Sequence, residues 1–393
     1  MARGALALLV ATTGYVTVAQ SFAETVARRN PALGYAMAPA KGQLAAELAE
    51  KQFKAMPTGD AGSSAARLSL EALRHDPTAV KAVAVLGLQA QLRGDVAAAR
   101  REFAYSQLLS RRDFATQLWA VEDAVARGDI PGALRHYDIA LRTTRAAADV
   151  MFPVLAGAIS DPRIRANLVA TMARKPVWSK AFIDYLVDHG SDVRATGALY
   201  ADLRRVDVPI STEADAAVVK GFLADDAASA WRYYASIRRE VDPRRLRDPG
   251  FTANLTTPTP FDWTATTDPN LAASFQRHGD GGVFDFATVA GAAGLLLHQI
   301  QMLPAGQYRL DGHSIGIDQP DAMRPYWTLT CRGGSEIGRV PVPNSSLANG
   351  QFSGTFTVPA GCPVQVLALL ASPTDQISGV SGQFDRVRLA PAR

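Results

Sequence analysis

The chain has 393 residues, 48% apolar and 20% charged, with a formal net charge of +4. That balance excludes a disordered chain and gives enough length for two or three packed domains. Residues 1–250 hold 33 Lys and Arg against 27 Asp and Glu, residues 251–393 hold 8 against 10 with no lysine, and no Lys/Arg stripe alternates with aromatics anywhere, so a nucleic-acid partner is excluded as well.

Gly4 to Ala23 runs for 20 residues without a charge, with Arg3 before it and Glu24, Arg28 and Arg29 after it. The stretch is long enough to cross a bilayer, although Thr12, Thr13, Thr17, Gln20 and Ser21 make it a weak span. Ser21-Phe22-Ala23 also fits the end of a cleaved signal peptide, and a third reading buries the stretch as the first helix of a repeat domain. Residues 1–29 are therefore expected to be a signal peptide or membrane-anchor helix.

Residues 43–240 predict helix after helix, with apolar residues at steps of three and four. The breaks fall at Pro57-Thr58-Gly59, His75-Asp76-Pro77, Arg93-Gly94-Asp95, Arg127-Gly128-Asp129, Ser160-Asp161-Pro162 and Val208-Pro209. Within this region the chain aligns with itself at a step of 34: Ala65, Ala99 and Ala133; Ala72, Ser106 and Ala140; Pro77, Arg111 and Arg145; Gly94-Asp95 and Gly128-Asp129. Leu86-Gly87 stands where a first helix needs a small residue, and Ala99, Phe103 and Ser106, then Ala133, Tyr137 and Ala140, form the inner stripe of the second. Over residues 60–145 this resembles the tetratricopeptide repeat family, with Ala90, Ser69, Arg111 and Arg145 departing from its pattern. Such repeats stack into a superhelix with a concave groove, for which Gln89, Arg93, Gln117, Glu122 and Arg127 are the expected lining residues. Beyond residue 150 the step is lost while helical pattern continues, so residues 30–248 are read as one TPR-like domain.

Residues 249–260, with Thr256-Thr-Pro-Thr-Pro260, read as a linker. Residues 261–393 then carry short alternating segments separated by Gly, Pro, Asn and Asp: Gly282-Val-Phe-Asp-Phe, Gly294–Met302, Gln307–Gly312, Trp327–Cys331, Gln351–Val358, Val364–Leu370 and Phe384–Leu389. Seven or eight strands at this spacing predict a β-sandwich. The fold class is thus α plus all-β, a TPR-like α-superhelix followed by a β-sandwich (jelly roll). The ordered signals Pro-Phe-Asp-Trp, Leu-X-Gln-X, Pro-X-Gly-X-Tyr-X-Leu, Trp-X-Leu-X-Cys, Phe-X-Val-Pro-X-X-Cys and Phe-Asp-X-Val-X-Leu over residues 258–390 resemble carbohydrate-binding-module jelly rolls. They also resemble the C-terminal domains of exported repeat proteins associated with bacterial exopolysaccharide production.

The two cysteines, Cys331 and Cys362, both lie in this small β-rich domain behind an export segment, which favours a disulfide over two buried free thiols. No catalytic signature is present: there is no Gly-X-Ser-X-Gly elbow, no phosphate loop and no His-Glu-X-X-His. Gly279-Asp-Gly-Gly lacks the lysine of a phosphate loop and reads as a turn. Glu336 is the sole glutamate of the β-domain, so the paired carboxylates of a glycosidase are not expected. Sugar binding needs an exposed aromatic face and planar polar groups that take hydroxyls in pairs. The candidates are Trp263, Arg324, Tyr326, Asp311, His313 and Gln299, with Trp263 also able to plug the sandwich and Trp327 facing its core. No metal or cofactor is expected.

The resemblance implies a non-catalytic, periplasmic scaffold or adaptor in exopolysaccharide assembly or export, anchored in the inner membrane through residues 1–29 or secreted. Its repeats would bind a protein partner of that system and its sandwich a polysaccharide. Two alternatives stay open: a carbohydrate-active enzyme using the sandwich loops, with Asp311 and His313, and a pure protein-interaction adaptor.

Overall fold

A computed structural model describes residues 21–392 except 239, 254, 267, 279 and 280, together with 14, 17 and 18. Most of the uncharged stretch from Gly4, and Gly279 and Asp280 of the glycine-rich turn, lie outside the described residues. Among the described residues no helix is long and apolar enough to cross a membrane. The chain divides into two compact units that meet at Lys180 and Ala181.

The first unit is helical. After a helical segment at 21–27 come α1 (Pro31–Met37), α2 (Gly42–Ala55), α3 (Ser64–His75), α4 (Val80–Leu92), α5 (Val96–Leu109), α6 (Phe114–Ala126), α7 (Ile130–Thr143), α8 (Ala147–Ala158) and α9 (Pro162–Met172). The 34-residue step is a step in helix boundaries: α6 begins and ends 34 residues after α4, and α7 does so after α5. The repeated Gly-Asp pair makes the turn between partner helices. Gly94 and Gly128 adopt φ of 80° and 71°, the left-handed conformation that ends a helix. Asp95 and Asp129 then cap the next helix, each accepting at 2.9 Å from the backbone N–H three residues on. A Cβ built at Gly87 would lie 2.8 Å from the ring of Phe103, so α4 and α5 meet more closely than any side chain there permits. Phe103 in turn stacks on Trp119 of α6 at 4.5 Å.

The second unit begins inside α10 (Ser179–His189) and contains α11 (Val193–Arg205), α12 (Thr212–Asp225), α13 (Ala227–Ile237) and the sandwich. Asp215 of α12 pairs with Arg204 of α11 and accepts from Tyr233 of α13 at 2.7 Å. The strands are β1 (Thr264–Ala265), β2 (Leu271–His278), β3 (Gly281–Thr288), β4 (Gly294–Gln301), β5 (Gly306–Ile315), β6 (Tyr326–Cys331), β7 (Glu336–Pro341), β8 (Gln351–Val358), β9 (Gln365–Ala371) and β10 (Val380–Pro391). They form two five-stranded sheets, ordered β1-β4-β9-β6-β7 and β2-β3-β10-β5-β8, with every named pair antiparallel. Alternation sends Trp327, Leu329, Leu367 and Leu369 of the first sheet, and Phe284, Phe286, Phe384 and Leu389 of the second, into one core. Trp327 meets Phe384 edge-on at 5.7 Å across the gap.

Cys331 and Cys362 form a disulfide that ties the end of β6 to the segment before β9. On the chain-entropy model, closing a loop of this length contributes roughly 3–4 kcal/mol. The Thr-Pro run before β1 is fastened to its surroundings: Thr259 is buried and exchanges two hydrogen bonds of 2.9 Å with Asp262.

Candidate functional site

The two outward faces of the sandwich differ in chemistry. On the first sheet, Thr264, His298, Ala368, Thr328 and Arg339 stand in register across all five strands. Tyr326 lies in the neighbouring row, and one face of its ring is covered by the Arg339 guanidinium at 4.0 Å. Arg339 also reaches both carboxylate oxygens of Glu336, at 3.3 and 3.2 Å. Burial lowers the pKa of His298 by disfavouring the charged imidazole, and its buried Nδ1 has no hydrogen-bond partner among the described residues.

On the second sheet, Arg386, His313 and Gln351 form one row across β10, β5 and β8, and Arg388, Asp311 and Ser353 form the next. The first row is completed by a β-bulge. Phe384 and Val387 are both fully buried although three residues apart, so the strand must accommodate one extra residue between them. The register shift falls there, between Phe384 and Arg386. Asp385, the extra residue, lies 2.9 Å from His313 Nδ1. His313, Gln351, Asp385 and Arg386, with Gly281, Gly282 and Val283 of β3, line a groove of about 500 Å³. Asp311 lies outside the groove and accepts from Arg309 at 2.6 Å.

A carboxylate, an imidazole, a guanidinium and a carboxamide here face one opening. These planar groups can take neighbouring hydroxyls in pairs. Among the described residues no hydroxyl or thiol is hydrogen-bonded to His313, and no group of His, Cys, Asp and Glu is arranged to hold a metal ion.

The six sequence candidates do not converge on one place. Asp311 and His313 share the outward face of the second sheet. Tyr326 begins a strand of the first. Arg324, beside it, donates to the Gln319 carbonyl at 3.1 Å and pairs with Asp321 at 2.6 Å, which fixes its own loop. Trp263 is 5% exposed, packs on Trp327 at 5.8 Å and donates to the Asp248 carbonyl, so it plugs the core and offers no sugar platform. Gln299 is fully buried and holds the backbone of Arg247 from both of its amide atoms. Of the expected superhelix groove residues, Gln89 and Gln117 are likewise fully buried, with Gln89 donating to Ser63 at 2.8 Å and Gln117 to the Arg111 carbonyl at 3.1 Å. Asp385, Arg386 and Gln351 are not evident as site residues from the sequence. The signal for Asp385 is the broken alternation in Phe-Asp-X-Val, which demands a bulge.

No family model matches this chain, and no curated protein matches it. Among solved structures it is similar to the enzymatically active domain of bacteriophage CBA120 tailspike protein 4, at 14% identity and TM-score 0.27 over 39% of this chain and 22% of that one. It is also similar to the carbohydrate-binding module TmCBM61 in complex with β-1,4-galactotriose, at 17% identity and TM-score 0.27 over 37% of this chain and 97% of that one. A third similarity is to a CBM4 structure, at 14% identity and TM-score 0.28 over 37% of this chain and 99% of that one.

Proposed function

We propose that this chain is a non-catalytic scaffold whose sandwich binds a hydroxyl-rich glycan in the groove around His313, and whose helical unit docks a protein partner. The observation that carries the reading is the row Arg386–His313–Gln351 with Asp385 bulged into it. It gathers planar hydrogen-bonding groups without a nucleophile beside the histidine. The helical pairs of the first unit add broad surface, as a docking scaffold requires. The resemblance to exported repeat proteins of exopolysaccharide production supports a role on the periplasmic side of an inner membrane, in assembly or export of a polymer.

A carbohydrate-active enzyme is the second reading, and the same His313–Asp385 pair favours it, since a carboxylate that orients an imidazole is also a general-base device. Incubating the full chain with candidate polymers separates the two. Binding without new reducing ends supports the scaffold. Turnover that Asp385→Asn abolishes while binding persists supports the enzyme.

A further inference from the structure

The helical segment 21–27 ends at Arg28-Arg29, five residues beyond the last position of the uncharged stretch Gly4–Ala23. There the first unit holds a groove of about 520 Å³ lined by Arg28, Arg29, Lys51, Lys54 and Lys81, together with Glu47 and Glu50. Glu47, Glu50, Lys51 and Lys54 fall at helical steps of three and four on α2, so one face of that helix supplies most of the wall. Lys54 pairs with Glu50 at 2.6 Å, and Lys81 pairs with Glu50 at 3.2 Å and Glu47 at 3.4 Å. Both carboxylates are thereby neutralised. Arg28, Arg29 and Lys51 are exposed and form no salt bridge among the described residues, although Glu24, whose pKa is lowered chiefly by its partner Lys41, is lowered further by Arg28. Phe22 of this segment is an exposed apolar side chain, 60% accessible, and Val18, nearer the start of the chain, is 68% accessible.

We propose that this groove binds the phosphodiester headgroup of an acidic phospholipid. The proposal rests on the reading of Gly4–Ala23 as a membrane segment. From Ala23, whose side chain is buried among Ala27, Ala38 and Leu44, to Arg28 the chain rises about 7.5 Å at the helical step, roughly the depth of one headgroup layer beyond the hydrocarbon. Arg28 and Arg29 would then stand at the phosphates, where guanidinium forks bind two oxygens at once. Lys51 adds a point charge within the screening length of about 8 Å at physiological salt. Three cations that form no salt bridge among the described residues are what an anionic surface neutralises, whereas a neutral glycan would leave them uncompensated.

The test reconstitutes the full chain into nanodiscs of phosphatidylcholine alone and of phosphatidylcholine with a third phosphatidylglycerol. An amine-acylating reagent then reports Lys51, with exposed Lys220 as internal reference. The proposal expects Lys51 to react about fivefold more slowly in the acidic discs, an effect that high salt reverses. Arg28→Gln with Arg29→Gln should restore the neutral-disc rate. Equal rates in both kinds of disc, with the chain incorporated in each, would overturn the headgroup site and leave the membrane segment standing. The same slowing produced in neutral discs by inorganic phosphate alone would overturn lipid as the ligand. Failure to enter neutral discs would contradict the membrane segment, and the headgroup site with it.

Discussion

The guanidinium carbon of Arg247 stands 5.2 Å from the ring centre of Trp231, a residue of α13. The same side chain donates to the carbonyls of Phe261 and Ile300 and to Gln301. Burial lowers its pKa to about 10, which leaves it ionised at neutral pH. Tyr234 of α13 completes the junction by donating to Asp262 at 2.7 Å. Arg247 thus joins the last helix to the end of the sandwich inside the second unit.

Replacing Arg247 by Met strands two carbonyls and a buried amide. Loss of a buried cation that hydrogen-bonds through each of its three nitrogens costs about 3–5 kcal/mol, read as a drop in the urea unfolding free energy of the full chain. Arg247→Lys should recover less than half of it, because an ammonium cannot span the same acceptors. A loss below about 1 kcal/mol for Arg247→Met would contradict this role.

Gly87 and Gly157 give opposite expectations for one chemical change. A methyl at Gly87 meets the Phe103 ring, so Gly87→Ala should destabilise by about 1–3 kcal/mol despite its better helix propensity. Gly157, in α8, has nothing within 4 Å of its Cβ position, so Gly157→Ala should stabilise by roughly 0.5–1 kcal/mol. Thermal melts of the two variants check both signs, and equal shifts would contradict the close approach of α4 and α5.

His298 makes the sandwich acid-sensitive. Its folded pKa lies below the ordinary 6.5 because burial disfavours the charged form. As pH falls through about 6.5 the unfolded chain takes up a proton that the folded chain refuses, so stability present above that pH is lost below it. His298→Gln should flatten the decline of the urea midpoint between about pH 7.5 and 5.5. His136, also lowered chiefly by burial, leaves some slope behind. An unchanged slope in His298→Gln would remove this explanation.

The order of helices and sandwich was legible because apolar period and turn residues change together near residue 250. The repeat was legible because one Gly-Asp pair serves as both helix end and helix cap. The strands not legible in the sequence, β1, β2 and β7, all sit at sheet edges. An edge strand is half-paired and needs no strong alternation: β2 opens Leu-Ala-Ala-Ser, and β7 carries Glu336, Gly338, Arg339 and Pro341. Burial of Trp263, Gln299, Gln89 and Gln117 was hidden for a different reason. Polar and aromatic side chains enter a core only where a specific partner waits, and here the partners of Trp263, Gln299 and Gln89 lie 15 to 52 residues away.

Calorimetric titration of the full chain with a panel of neutral and uronate-containing oligosaccharides tests the central claim most directly. The account predicts saturable binding to at least one of them, weakened about tenfold by His313→Ala and again by Arg386→Ala, with thermal melts unchanged because both side chains lie on an outer face. Binding that both variants retain in full, or no binding to any oligosaccharide of the panel, would contradict it.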